Sequence, residues 1–253
     1  MKNTTIFGAL DPELVERVSR RGAVEQSGKM AGALAIASMP VAFGLLAKSA
    51  FAQGTTLPAN IITVLNFALT LEYLEDDFYQ MGLDSGVIPA GDLGIFTPIS
   101  THEAAHVALL TSTIMTGGGT PALKPTFDFT AGGIVPDPFT DYPTFQALSQ
   151  GFEDTGVRAY KGQAGALMSN DSILTVALQI HSVEARHASA VRRLRGEKGW
   201  ITGNANTLPA QFAAIYAGEE AGAGVTTPAS GEAFDEPLTM DQVNAIAAPF
   251  IVA

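Results

Sequence analysis

The segments HEAAHVALL (residues 102–110) and VEARHASAVR (residues 183–192) decide the fold, because each carries a Glu-x-x-His motif within a helix-forming sequence. Each motif is preceded by another glutamate at the same interval along the chain, and the second copy of the whole pattern repeats the first at a constant offset. The residues of the repeated pattern are Glu72, Glu103, His106, Glu153, Glu184 and His187. Residues i and i+3 of a helix lie one turn apart on one face, so each motif directs a carboxylate and an imidazole to the same side.

This pattern is the ligand set with which a four-helix bundle holds two transition-metal ions in its core. We predict two iron or manganese ions as cofactors, since mixed oxygen and nitrogen ligands suit both metals. Glu103 and Glu184 would bridge the ions and act in catalysis. Each histidine would bind one ion, and each upstream glutamate would flank one. Four carboxylates also balance two divalent ions, whereas without metal they would repel one another and take up protons.

The spacing of apolar residues predicts an all-α protein with four long helices. These are expected at residues 60–83, 99–115 and 143–168, and from the break at 170–172 to about residue 195. Between the second and third helices, residues 117–141 are rich in Gly, Pro, Thr and Phe and show no helical pattern. One long crossover at this place is the connectivity of ferritin-like four-helix bundles. Its phenylalanines could pack onto the bundle or mediate association.

The segment 1–52 is predicted to be an export signal. The sequence SRR (19–21) precedes a weakly apolar run (30–46), and AFA (50–52) forms a small-x-small cleavage site. The paired arginines favour the twin-arginine route, although an ordinary secretory signal or an N-terminal membrane anchor would share these features. We therefore expect a periplasmic or extracellular protein with no stable membrane insertion once the signal is removed.

After the signal, the chain is predicted to form a four-helix bundle (53–197) and an irregular C-terminal extension that packs on it (198–253). Within the extension, residues 212–216 could form a short helix. TMDQ (239–242) has the pattern of a capping box that begins another helix.

The amino-acid composition disfavours one class of partner and excludes several kinds of site. The chain has a net charge of −11, which disfavours nucleic acid as a partner and favours cations. It contains no cysteine, which excludes disulfides, zinc–thiolate sites and iron–sulfur clusters. Hydrophobic residues make up 47% and charged residues 15%, as in a well-packed globular body.

The sequence HEAAH (102–106) also matches the H-E-x-x-H signature of zinc proteases, in which both histidines bind zinc and the glutamate is the base. That interpretation leaves the upstream glutamates and the whole second motif unexplained. It is therefore the less favoured alternative.

Other polar residues near the motifs receive weaker predictions. Glu75 and Asp76 follow Glu72 by about one turn; one of them could support the ligands, although solvated helix charges are the favoured interpretation. Asp154 could orient a ligand histidine or lie at the surface. Three tyrosines could hydrogen-bond the site or act as redox-active phenols, although the role of core aromatics is favoured: Tyr73, Tyr79 and Tyr160. His102 and His181 are expected beside the ligands or at the surface.

The four helical segments resemble a known family. LNFALTLEYLEDDFY (65–79), HEAAHVALL, FEDTGVRAYKG (152–162), VEARHASAVR and, near the C-terminus, FDEPLTMDQV (234–243) are similar to ferritin-like proteins grouped with plant desiccation-related proteins and with secreted bacterial and fungal relatives. The resemblance covers nearly all of the chain after residue 55. It implies a ferritin-like bundle and metal-ligand roles for the six residues of the pattern, but no settled reaction.

Two functions follow. The first is an enzyme whose di-metal centre reduces dioxygen or peroxide, as a ferroxidase or a manganese-catalase-type enzyme does. The second is a non-enzymatic stress or desiccation-related protein in which metal only stabilises the bundle. The expected partners are metal ions and dioxygen or peroxide, and the sequence leaves open whether the chain forms a homo-oligomer.

Overall fold

A computed structural model describes residues 56–203, 206–224 and 230–252. The predicted export signal, residues 1–52, lies outside the described residues and stays a prediction. Within the described part of the chain, no helix combines the length and apolar character needed to cross a membrane.

Four long helices form the body of the protein, which confirms the predicted all-α fold. They are α1, Ala59–Ser85; α2, Leu93–Thr116; α3, Tyr142–Gln163; and α4, Asp171–Leu194. Helix α1 packs along α2 and α3 packs along α4, so each half of the sequence forms a helical hairpin. The hairpins meet where α1 contacts α3 and α2 contacts α4, and the long crossover joins α2 to α3.

Two helix boundaries differ from the predicted ones. Helix α2 begins at Leu93 rather than after Pro98, and the proline lies inside the helix. Proline lacks the N–H of one helical hydrogen bond, but Phe96 in the same turn is fully buried, so packing outweighs the local preference. Helix α3 ends at Gln163, and the rest of the predicted third helix continues as a tighter 3₁₀ turn, Ala164–Leu167.

Local sequence explains where α3 and α4 begin. The carboxylate of Asp141 accepts a hydrogen bond from the N–H of Thr144. The side chain of Asn170 accepts one from the N–H of Ile173. Both caps satisfy backbone donors that have no partner within the helix. They fix where the helices begin, and therefore which residues face the bundle interior in the following turns.

The interior of the bundle is filled unevenly along its length. At one end aromatic rings pack together, with Phe78 and Phe145 stacked at a centroid distance of 4.7 Å. The opposite end is lined by small and aliphatic side chains that leave a cavity between the four helices. Its lining includes Val64, Ala68, Leu110, Tyr160, Ile173 and Val176. On every helix the predicted ligands lie between these two ends.

The crossover packs onto the aromatic end of the bundle. Phe129 is buried, and its ring centroid lies 5.2 Å from that of Phe78. The partly buried rings of Phe127 and Phe139 pack against the same cluster. A short strand of the crossover, β1 (Thr126–Phe127), pairs antiparallel with β2 (Ile251–Val252). The crossover is thus fastened to both the bundle and the C-terminal segment.

The described part of the C-terminal extension packs on α3. It comprises 3₁₀ helices at Ala210–Tyr216, Glu219–Gly224 and Ala248–Phe250, a short helix α5, Ser230–Ala233, and helix α6, Met240–Ala247. Thr239 and Gln242 form the predicted capping box of α6. The buried guanidinium of Arg158 in α3 pairs with Glu219 at 2.6 Å and donates to the carbonyl of Ala217 at 2.9 Å.

Replacement of Gly162 by alanine is expected to strain the attachment of the extension. A Cβ at Gly162 would lie 1.9 Å from the carbonyl oxygen of Leu238, so the backbone would have to shift. Overpacking of this kind costs about 1–3 kcal/mol of unfolding free energy, which urea denaturation measures. Gly165→Ala is the control, because its Cβ would meet nothing within 4 Å. Equal stability of the two variants would contradict this close packing.

Candidate metal centre

The structure brings the six residues of the repeated pattern together in the middle of the bundle. Each is buried, and the four glutamates are fully so. They form two groups in which one ligand atom from every residue lies within 4.8 Å of the others. The groups are Glu72, Glu103, His106 and Glu184, and Glu103, Glu153, Glu184 and His187. Glu103 and Glu184 belong to both groups, the position expected of bridging carboxylates.

The two imidazoles point their Nδ1 atoms at the carboxylates. His106 Nδ1 lies 3.1 Å from Glu72 Oε2, 3.0 Å from Glu103 Oε2 and 3.2 Å from Glu184 Oε1. His187 Nδ1 lies 2.9 Å from Glu103 Oε1 and 3.3 Å from Glu153 Oε2. Each histidine therefore faces one flanking carboxylate and at least one shared carboxylate.

Two buried tyrosines hold the flanking glutamates. Tyr160 donates a hydrogen bond to Glu72 Oε1, and Tyr79 donates one to Glu153 Oε1. In both glutamates the other oxygen, Oε2, faces the histidine. Both tyrosines are buried, as the favoured prediction has it, and both also hydrogen-bond the site, which was the alternative for them. A signal was present in the sequence, since the interval between the two tyrosines equals the offset between the two copies of the ligand pattern.

Glu75 is buried beside the cluster, so the favoured interpretation that it is solvated was wrong, and its place agrees with the alternative of a residue beside the ligands. Burial raises its pKa well above the usual value, and the negative charges of Glu184 and Glu153 raise it further. The i+3 spacing from Glu72 places it one turn along the same face of α1. Asp76, the next residue, is partly buried and accepts a hydrogen bond from Gln80.

His102 contacts a predicted ligand without joining either group. Its Nδ1 lies 2.9 Å from Nε2 of His187, and the two rings stack at a centroid distance of 5.1 Å. This agrees with the prediction that His102 lies beside the ligands. It does not favour the zinc-protease interpretation, in which His102 and His106 would share one ion. His181 is half-buried and belongs to neither group.

Asp154 neither orients a ligand histidine nor lies at the surface. It is fully buried and pairs with Arg192 of α4, with Oδ2 at 2.5 Å from Nη1. Tyr216 of the extension donates a second hydrogen bond to the same oxygen at 2.6 Å. Burial raises the pKa of Asp154 to about 6 even though Arg192 opposes the shift. This ion pair joins α3, α4 and the extension.

In the metal-free cluster the folded protein holds extra protons. Burial raises the pKa of Glu184 well above its usual value and that of Glu103 to about 7. Burial opposes protonation of His106, but the charge of Glu72 and further hydrogen bonds raise its pKa well above the usual value. Burial likewise opposes protonation of His187, yet the surrounding carboxylates raise its pKa to about 11.

We expect the metal-free protein to lose stability as the pH rises from 6 to 8. A carboxyl group whose pKa is raised in the folded state destabilises the fold once the pH exceeds its unfolded pKa of about 4.3. A histidine whose pKa is raised stabilises the fold, but that stabilisation is lost as the pH rises above its unfolded pKa of about 6.5. Both effects have the same sign, about 1.4 kcal/mol per pH unit for each extra proton the folded state holds. Urea unfolding after chelation measures the slope. If the free energy of unfolding rose between pH 6 and 8, the protonated state of the cluster would be contradicted. Glu103→Gln removes one of the extra protons and should make the unfolding free energy less dependent on pH.

The ferritin-like domain family matches residues 60–197, which is more than half of the chain and contains the whole cluster. A search of curated proteins finds no match to the chain. The family match agrees with the two helical hairpins joined by one long crossover, and with buried glutamates and histidines that are compatible with a di-metal site. On these grounds the chain belongs to the ferritin-like domain family.

Proposed function

We propose that this protein holds a pair of iron or manganese ions and uses them in redox chemistry on dioxygen or peroxide. The observation that carries the proposal is the pair of four-residue groups with Glu103 and Glu184 in common. Two ion positions that share two carboxylates describe a dinuclear centre rather than two separate sites. The ions would be held by the six residues of the repeated pattern, in the roles predicted from the sequence.

The chemistry of the cluster fits metal ions. Among the described residues, four buried carboxylate oxygens that face the centre lack a well-formed hydrogen bond: Glu103 Oε1, Glu153 Oε2 and both oxygens of Glu184. Three of them lie 2.9–3.3 Å from a histidine Nδ1, but each of these nitrogens faces at least two carboxylate oxygens and has at most one proton to donate. Buried polar atoms without a partner are costly, and buried carboxylates are normally paired or bound to metal. Two divalent ions would balance four carboxylates and give these oxygens partners.

Each ion position would receive four protein atoms. These would be one oxygen of a flanking glutamate, one oxygen from each shared glutamate and one histidine nitrogen. Tyr160 and Tyr79 donate to the Oε1 atoms of the flanking glutamates, so the Oε2 atoms are the ones that face the centre without a tyrosine partner. Ions of the proposed kind accept up to six ligands, so each position would retain room for a small ligand.

When bound, a pair of iron or manganese ions would supply redox chemistry: it would pass electrons from added Fe(II) to dioxygen, or from one peroxide, which leaves as dioxygen, to a second peroxide, which leaves as water. The protein would orient the metal ligands and enclose the centre in its buried, low-dielectric interior. Tyr79 and Tyr160 hold the flanking carboxylates. The 2.9 Å contact between His102 Nδ1 and His187 Nε2 leaves His187 Nδ1 as the atom that faces the carboxylates. Hydrogen bonds of this kind fix the tautomer and ring orientation of ligand histidines.

Metal content and two reactions test the proposal. The purified protein is expected to contain iron or manganese at close to two ions per chain. It should then either release dioxygen from peroxide or oxidise added Fe(II) in the presence of dioxygen. The Glu103→Gln/Glu184→Gln double variant is the control, since it removes both shared carboxylates. Bound metal with neither reaction in the wild type would point instead to metal that only stabilises the bundle, and absence of metal would overturn the centre.

We also propose that the protein is exported and acts outside the cytoplasm. The support is the arginine pair at 20–21, the apolar run and the small-x-small sequence at 50–52. Cell fractionation and N-terminal sequencing are expected to find a mature chain that begins near Gln53. Arg20→Lys/Arg21→Lys should trap the precursor in the cytoplasm if the twin-arginine route is used. An intact N-terminus on cytoplasmic protein would refute export.

A further inference from the structure

The two halves of the metal centre are related by a constant offset along the chain. Four site residues of the first hairpin each have a counterpart of the same type in the second hairpin, and the two are always separated by the same number of residues. The matching pairs are Glu72 and Glu153, Tyr79 and Tyr160, Glu103 and Glu184, and His106 and His187. The match fails at two positions that touch the site. Glu75 corresponds to Gly156, and His102 corresponds to Val183.

Glu75 packs against α3 at Gly156, a position without a side chain. A Cβ on Gly156 would lie 3.0 Å from Glu184 Oε2 and 3.5 Å from Glu75 Oε1. It would therefore crowd Glu184, whereas its contact with Glu75 would be an ordinary one. The same stretch of α3 thus lies close to both carboxylates, which places a fifth carboxylate near Glu184.

This fifth carboxylate lies against α3 within one turn of Glu153, because Gly156 follows Glu153 by three residues and a Cβ there would lie 3.5 Å from Glu75 Oε1. Beyond the effect of burial, the negative charge of Glu153 also raises the pKa of Glu75 more than that of Glu72 does, in keeping with this place. Glu184 Oε2, the nearby shared oxygen, is fully buried and accepts no hydrogen bond from the described residues. A buried carboxylate among other carboxylates is costly unless a cation lies close by.

The second departure from the repeat affects the same half. His102 Nδ1 lies 2.9 Å from His187 Nε2 and so supports the imidazole of that half. Val183, at the matching place, has no side-chain group that could hydrogen-bond His106. Neither Glu75 nor His102 joins the two four-residue groups, but both lie on the side of the Glu153–His187 position.

We propose that Glu75 is a seventh protein ligand of the centre and that it binds the ion held by Glu153 and His187. The two ion positions then differ in affinity, and the Glu153–His187 position fills first. This inference rests on the dinuclear centre proposed above. The ion beside His106 keeps the smaller set of protein ligands and is therefore the one that exchanges readily and offers more room to a small ligand.

Titration of the metal-free protein with Mn(II) tests the inequality directly. Calorimetry, and the electron paramagnetic resonance signal of free Mn(II), are expected to show a tight first step and a weaker second step in the wild type. His187→Ala should remove the tight step, whereas His106→Ala should remove the weak one. Loss of the weak step in His187→Ala, with the tight step retained, would overturn the assignment.

Glu75→Gln then tests the role of Glu75 itself. The first step is expected to weaken by roughly 10- to 100-fold or more, since loss of a mere hydrogen-bond partner of a ligand already costs that much. The second step should change little. Asp76→Asn is the matched control, because it removes the same charge from the neighbouring residue of α1 without touching the centre. It should titrate like the wild type.

The outcomes separate this inference from the proposed function. Glutamine can still donate a hydrogen bond but is a poor metal ligand, so identical titrations of Glu75→Gln and the wild type would overturn the role of Glu75 alone. A wild type that binds no Mn(II) would overturn the centre as well. Glu75→Asp keeps the carboxylate but shortens the side chain by one methylene. We therefore expect the Mn(II) affinity of the first step to fall by less than in Glu75→Gln. That variant carries the test if Glu75→Gln folds poorly, and an unchanged first step would again overturn the role.

Discussion

Glu103→Gln is expected to abolish binding of both ions, although only one side chain changes. Glu103 belongs to both ligand groups, with Oε2 at 3.0 Å from His106 and Oε1 at 2.9 Å from His187. The loss should exceed the roughly 10- to 100-fold decrease in affinity that follows loss of a residue supporting a ligand. Glu184→Gln should behave in the same way, because Glu184 is the other shared residue.

The matched variant is Glu72→Gln, which removes a carboxylate that belongs to one group only. It should lower metal content after dialysis toward one ion per chain, while Glu103→Gln lowers it toward none. Elemental analysis measures both. Chelated wild type and chelated Glu103→Gln should unfold at similar temperatures, or the variant slightly higher, since it has one buried carboxyl fewer. Retention of two ions by Glu103→Gln would contradict the bridging role.

Arg192→Ala is expected to cause the largest loss of stability, about 3–5 kcal/mol, because it leaves the carboxylate of Asp154 buried without a cation. Both partners are fully buried, and their 2.5 Å contact joins α3 to α4. Tyr216 Oη lies 3.4 Å from Arg192 Nη1 and donates to Asp154, so the extension should loosen as well.

Replacement of both charges tests this explanation. Arg192→Met/Asp154→Leu should recover much of the loss, since apolar side chains of similar volume often substitute for a buried ion pair. Arg193→Ala, at the exposed neighbouring position, should change the unfolding free energy by no more than about 0.5 kcal/mol. Urea unfolding with fluorescence detection measures all three variants. An Arg192→Ala protein as stable as Arg193→Ala would show that the pair contributes little.

The sequence predicts the helices and the meeting of the six residues because both depend on short-range periodicity. Glu103 and His106 share a face whatever the rest of the chain does, and the equal spacing in the second half implies a matching hairpin. The family resemblance points to the same fold, which the structure and the family match confirm. The roles of the residues as metal ligands and catalytic groups stay predictions.

Residues whose partners lie on other elements could not be placed in this way. Asp154 and Arg192 are 38 residues apart, and no local pattern pairs them. Glu75 lies one turn from Glu72, but periodicity alone does not show whether such a carboxylate faces the centre or solvent. Helix α2 runs through Pro98 because the burial of Phe96 in the same turn overrides the local preference of proline, and burial of this kind is not visible in local sequence.

The uneven filling of the bundle interior has a consequence for which molecules can approach the centre. The aliphatic end leaves a space lined mostly by apolar side chains, and this space reaches Tyr160, the residue that holds Glu72. Apolar spaces in proteins favour nonpolar molecules over polar ones. If the proposed centre reacts with an oxidant, dioxygen would therefore enter from this end more readily than hydrogen peroxide, and ions would have to arrive by another route.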